Sequence, residues 1–272
     1  MNNNLYWAVY KNLERELINL SNLIHIDDKQ LDVYSIKITE LLIRTVVEVE
    51  SIVKELYFQN GGTKPDDKNL FFDTDCLDLL ENKWFLSKKQ VHISATNFYF
   101  NLTDNKVLTP LKKANKRGSS SSDWLKAYQA VKHNRAKSLT AGNLKNLIRA
   151  MAGLYILNLY YKNDLYELEK DATGTSFDSS LGSVIFSIKV HKSKGFSAVE
   201  SFMKGVEDFD ESVYLIKTTD KTRSIMQNLL QEIEVRNAKG EEMRQVVQEY
   251  VQLIRERTDD LKYEAILNKQ QY

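Results

Sequence analysis

A mainly α protein is what this chain predicts, and three observations predict it. Apolar residues recur at every third and fourth position over long segments, the spacing of a helix with one buried face. Of 272 residues only 2 are proline and 10 glycine, so few positions interrupt a helix. The stretch Met151 to Tyr161 is apolar almost all round, the pattern of a helix enclosed by others. Together they predict a helical bundle with an irregular insertion, a small β-hairpin-like element and a C-terminal helical hairpin.

The first helix is expected over residues 5–25, where Leu13, Leu17, Leu20 and Ile24 alternate with Lys11, Glu14 and Glu16. Asp27 and Asp28 are placed to cap a second helix from about Lys29 to Phe58, which Gly61, Gly62 and Pro65 end. Residues 60–120 break the pattern. Phe71 to Leu80 suggests a short helix near Cys76, and Val91 to Ser94 and Phe98 to Phe100 suggest extended pieces. Pro110, Gly118 and Ser119 to Ser122 mark a connection. A third helix follows over Asp123–Lys137, with Asp123 as its cap. A fourth follows over Ala141–Tyr161, with Thr140 as its cap.

Beyond Glu169 the character changes. Val184 to Val190 and Val213 to Ile216 read as strands, and Ala198 to Val206 as a short helix or loop between them. From Asp220 two helices are expected, parted at Asn237 to Gly240. The resulting organisation is a bundle over 1–165, with the insertion at 60–120, a β element over 166–218 and a hairpin over 219–272.

Composition narrows the function classes. One cysteine excludes a disulfide framework and fits a reducing, cytoplasmic setting. The first residues show no basic-then-apolar leader, and the apolar stretch near 151–161 is too short to span a bilayer of roughly 20 apolar residues, so no membrane association is expected. Cys76 has no second cysteine beside it, and His25, His92 and His191 are scattered, so neither a metal nor any cofactor is expected. Gly61-Gly62 lacks the Gly-Lys-Ser/Thr of a phosphate loop. The net charge is +1, yet Lys112, Lys113, Lys116, Arg117, Lys126, Lys132, Arg135 and Lys137 stand within 26 residues against Asp123 alone. A local basic patch beside Trp124 and Tyr128 fits an RNA phosphate backbone with a stacked base; it equally fits a solvated loop and helix surface.

Two further constellations bear chemistry. Arg44 and Glu48, and Glu50 and Lys54, stand four residues apart, so each pair can meet on a helix. Either they are ordinary surface ion pairs, or Glu50 and Lys54 face a cleft. Trp124, Tyr128, Val131 and Arg135 form one stripe with Lys132 at its edge; either it is a packed aromatic core face with solvated cations, or Glu50 meets Arg135 across the bundle. His133 lies opposite Arg135 on an ideal helix; the two share a site only if the helix ends or tightens near Asn134, or if two chains contribute.

The Arg44-to-Lys54 segment, followed by Trp124-x-x-x-Tyr128-x-x-x-Lys132-His133-x-Arg135 and an apolar helix, resembles bacterial helical proteins of the HEPN type over residues 1–165. The resemblance implies a homodimer whose shared cleft cuts RNA with an Arg and a His from each chain, and a role in toxin or antiphage (abortive infection) systems. The usual order is Arg and then His four to six residues on; here His133 precedes Arg135. On this resemblance a metal-independent ribonuclease would use His133 as general acid or base, Arg135 and Lys132 on the phosphate, and Glu50 to hold Arg135. Lys54, Trp124, Tyr128, Lys112, Lys113, Lys116 and Arg117 would bind substrate. The alternative expectation is a non-catalytic interaction or dimerisation module, with the C-terminal hairpin as the surface for a second copy or a partner protein.

Overall fold

The computed structural model describes residues 5–66, 69–168, 177–192, 208–240, 242–256 and 262–269. Helix α1 (Leu5–Ser21) is followed by β1 (Ile26–Asp27), α2 (Ile36–Gln59), a π-helical turn (Phe72–Leu77) and α3 (Asp78–Trp84). Next come β2 (Val91–Ile93), β3 (Phe98–Tyr99), α4 (Thr103–Lys106), β4 (Val107–Leu108), α5 (Asp123–Asn134) and α6 (Leu144–Lys162). The chain continues through β5 (Tyr166–Leu168), β6 (Phe186–Ile188), β7 (Val190–Lys192) and α7 (Asp208–Glu211). It closes with β8 (Tyr214–Thr218), α8 (Asp220–Ala238), α9 (Met243–Glu256) and β9 (Tyr263–Leu267). The fold is mainly α with small sheets, as the periodicity predicts.

Helix α6 is the hub. It packs on α1, α2 and α5, and residues Ala150 to Tyr160 are all buried. Its first N–H groups are all accounted for. Asn143, rather than Thr140, is the cap and accepts from Asn146 N, while the carbonyls of Val33 and Leu31 accept from Leu144 N and Lys145 N. Helix α2 starts later than the acidic pair suggests. Ser35 caps it by accepting from Ile38 N, whereas Asp27 closes a turn onto Lys29 N and Gln30 N. Asp28 instead accepts from Asn101 N, Leu102 N and Asn105, tying the insertion to the bundle. Asn60 and Gly61 (φ +87°) end α2. Gly62 has no room for a Cβ, which would sit 2.2 Å from the Tyr57 ring.

An aromatic ladder joins helix to sheet: Trp7 stacks on Tyr10 at 5.0 Å, Tyr10 on Tyr155 at 5.7 Å, and Tyr155 on Phe186 at 5.7 Å. Beside it Glu14, only 1 % exposed, accepts from Tyr10 Oη, Val184 N, Ile185 N and Ser183 Oγ and pairs with Lys11. A buried carboxylate this well supplied with donors fixes the 183–186 turn on α1.

The β content is arranged otherwise than a hairpin. Strand β7 runs parallel to β8, and β9, from the far end of the chain, lies between β8 and β5 in a sheet of order β5-β9-β8-β7. A second sheet, β4-β2-β6, joins the insertion to residue 188. The helical hairpin expected beyond 219 forms, with α8 and α9 packed on each other, and strand β9 follows it back into the sheet. Among the described residues one core runs from Tyr10 to Leu267, and Met226, Leu229, Val246 and Tyr250 form a separate small cluster between α8 and α9. Residues 198–206, where a short helix or loop is expected, lie outside the described residues. No described helix is long and apolar enough to cross a membrane.

Lys89 is fully buried, with its Nζ donating to the Asp210 carbonyl at 2.9 Å. Burial pushes its pKa down to about 7, and Asp210 and Glu81 only partly oppose this. The folded value lies below the ordinary 10.5 of an unfolded lysine. Folding therefore releases a proton between about pH 7 and 10.5, and this group adds stability as pH rises through that window. Lys89→Met removes the ionisable group from an apolar site. Urea unfolding of both proteins from pH 6 to 10 is expected to show the variant gaining on the wild type at pH 6 and losing that advantage by pH 10. Parallel profiles would refute the assignment.

Candidate functional site

The basic segment folds around a cleft. Leu111 and Ala114 are buried while Lys112 and Lys113 between them are exposed, so one turn presents both lysines outward. Lys113 holds φ at +62°, which sharpens that turn. Trp124 Nε1 donates to the Pro110 carbonyl at 2.8 Å and pins the turn against α5. At 1 % exposure Trp124 is core, and Tyr128 at 2 % is core as well, so of the two readings the stripe is the packed aromatic face and neither ring is open to a base.

A cleft of ≈ 310 Å³ lies between this turn, the start of α5 and α6, lined among others by Lys112, Lys113, Ser122, Lys126 and Arg149. Ser122, rather than Asp123, holds the N-cap position of α5; its side chain makes no capping bond, and its buried hydroxyl has no partner among the described residues. The first N–H groups of α5 thus have no side-chain acceptor. Arg149 is half-buried and makes no ion pair or hydrogen bond among the described residues. Burial lowers its pKa, opposed only by Asp123 and Asp104 at a distance. Lys112, Lys113 and Lys116 also stand without an ion pair among the described residues, and Lys126 bridges to the exposed Asp123 at 2.8 Å. Of these lysines, Lys116 does not line the cleft. Lys112, Lys113 and Arg149, without an ion pair among the described residues, stand around an orphaned hydroxyl and an uncapped helix start; Asp123 is also on the lining but is engaged by Lys126, so the balance suits an oxyanion.

A second cleft, of ≈ 480 Å³, shares Ser119, Ser121 and Lys126 with the first. Arg117 lines it, donating from Nε to both carboxylate oxygens of Asp73 at 2.8 Å, its guanidinium 3.6 Å from the centre of the Phe71 ring.

The other predicted residues separate into two groups. Glu50, Tyr128 and Lys132 come together: burial raises the Glu50 pKa, while Lys132, the Tyr128 hydroxyl and Lys54 pull it down. Lys132 Nζ lies 5.2 Å from the centre of the Tyr128 ring. The expected i,i+4 ion pairs do not form; Lys54 bonds Asp66 at 2.6 Å and Arg44 bonds Asn12 at 3.2 Å. Glu50 does not hold Arg135. Helix α5 breaks at Asn134 (φ −149°, ψ 67°), and a single 3₁₀ turn carries Arg135 to Lys137. His133 and Arg135 are both exposed there, without a partner among the described residues.

Sequence reasoning missed Arg149, Ser122, Asp73, Phe71 and Gln129. One signal was present: Lys145 and Arg149 are the only charges in α6 before Lys162. An arginine on a helix that is apolar almost all round asks for a counter-charge, and among the described residues none bonds it. No group of three His, Cys, Asp or Glu among the described residues is placed to hold a metal ion. No protein-family model, curated protein or solved structure matches the chain.

Proposed function

We propose that the chain binds RNA by its phosphates in the cleft of Lys112, Lys113, Lys126 and Arg149. The observation that carries this is Arg149, a half-buried guanidinium with no ion pair among the described residues, in one cleft with Lys112, Lys113 and an uncapped helix start. Such a group is left charged and poorly solvated, and an incoming phosphate supplies the bidentate partner it lacks. RNA rather than another polyanion follows from the likeness to HEPN-type proteins, and so does cleavage.

For cleavage, the exposed pair at the break in α5 carries the reading. His133 takes the proton of a ribose 2′-hydroxyl; the 2′-oxygen attacks the adjacent phosphorus, the 5′-oxygen leaves and takes up a proton, and a 2′,3′-cyclic phosphate results. Arg135 stabilises the charge growing on the phosphate. Lys132, engaged by Tyr128 and Glu50, holds the end of α5 rather than the substrate. The resemblance implies that a second copy completes such a cleft. A surface for one is the outer strip of α9, where Met243, Val247 and Val251 recur every fourth residue and are exposed.

The test is one titration and one time course with end-labelled RNA at low salt, accompanied by light scattering. Wild type, His133→Ala and Arg135→Ala are expected to bind alike, with only the wild type releasing cyclic-phosphate ends. No binding by any of them would refute the proposal. Binding without cleavage by the wild type would remove the nuclease half, and a monomer throughout would remove the second copy.

A further inference from the structure

We infer that the second cleft takes an unpaired nucleobase, so that the ligand of the phosphate cleft is single-stranded RNA; this rests on the RNA reading above. The argument starts from Arg117. Its Nε is held by both oxygens of Asp73, and one face of its guanidinium covers Phe71 at 3.6 Å, so the group is fixed in position before any ligand arrives. Its side chain nevertheless stays 45 % exposed and lines the cleft. A planar cation with one face already stacked and the rest open is a platform for a second aromatic ring, and a base is such a ring.

The remaining walls agree with this. Leu125 gives an apolar contact, and Gln129 adds an exposed amide that both donates and accepts, as the edge of a base requires. A cleft of ≈ 480 Å³ is within the size range of small-molecule sites. The decisive point is adjacency. The two clefts share Ser119, Ser121 and Lys126, so a phosphate beside Arg149 and a base on Arg117 can belong to one stretch of one strand. A base inside a duplex cannot enter, because its faces are covered by its neighbours and its edge by its complement.

The test compares a labelled single-stranded oligoribonucleotide with the same strand annealed to its complement, using full-length protein. The single strand is expected to bind about tenfold more tightly, the size of one base-stacking contact. Arg117→Lys keeps the charge but loses the plane, so it is expected to bring the two affinities within about twofold while the salt dependence of both persists. Should that variant fold poorly because it gives up the Asp73 fork, Gln129→Ala on the surface of α5 is expected to shrink the preference in the same direction. Equal affinity for single strand and duplex in the wild type would overturn the inference and leave phosphate binding standing. An unchanged preference in both variants would overturn it too. Binding of neither form would remove the RNA reading and this inference with it.

Discussion

A chain that stops after Leu261 is expected to lose its fold, although it removes only eleven of 272 residues. Strand β9 is internal to its sheet. It pairs with β8 over five registered positions, from Tyr214↔Leu267 to Thr218↔Tyr263, and with β5 over three. Without it β8 and β5 have no connection, and the backbone groups of the buried residues Tyr214 to Ile216 lose their partners on one side. Each such orphan costs about 1–3 kcal/mol. Asn268 adds to the loss: it is fully buried, its Nδ2 donates to the Phe209 and Ser212 carbonyls, and its own carbonyl accepts from Tyr160 Oη at 2.6 Å. The sum reaches the order of the whole net stability of a domain, about 5–15 kcal/mol. Insoluble protein, or a melting temperature lower by more than about 10 °C, is the expected outcome. The single substitution Asn268→Ala should cost about 2–3 kcal/mol in urea unfolding. A truncated chain that melts with the wild type would show that β9 is an ornament of the sheet.

Arg149→Glu is expected to weaken RNA binding by about 100-fold while leaving the melting temperature within a few degrees. The two halves of this expectation have separate grounds. Loss of a charge-assisted contact is worth roughly 1.5–3 kcal/mol, and the reversed charge adds repulsion of the phosphate. The fold has little to lose, since Arg149 makes no ion pair or hydrogen bond among the described residues. Arg149→Lys should fall between, retaining the charge without the fork. An unchanged affinity with Glu at this position would mean that the cleft is not where phosphates sit. Collapse of the fold would mean that Arg149 has a structural partner after all.

What the sequence made legible follows the range of the interactions. Helices α1, α2, α5 and α6 are written in local periodicity, and so are the breaks at Gly61 and Gly240, because a helix closes its hydrogen bonds within four residues. Strand β9 is not legible in that way. Its five residues, Tyr263 to Leu267, find partners near residues 166 and 216, and nothing local announces them. Caps are hard to read locally for a related reason: Asp28 looks like a helix start, yet its carboxylate is used by residues 101–105. In the site, the lysines at 112 and 113 were visible as a charge run. Their companion Arg149 is hidden in an apolar helix, and a tryptophan beside lysines reads equally as core or as base platform until the fold shows Trp124 pinning the lysine turn. Only the fold shows which cations lack a counter-ion.

The central claim is that phosphates occupy the Arg149 cleft, and the salt dependence of single-stranded RNA binding tests it most directly. Four cations line that cleft, Lys112, Lys113, Lys126 and Arg149. If each displaces one counter-ion from a single strand, log K plotted against log salt should fall with a slope of about −3 for the wild type and about −2 for Arg149→Ala. A slope near zero, or no RNA bound at 50 mM salt or below (roughly where phosphate contacts hold most tightly), would contradict it.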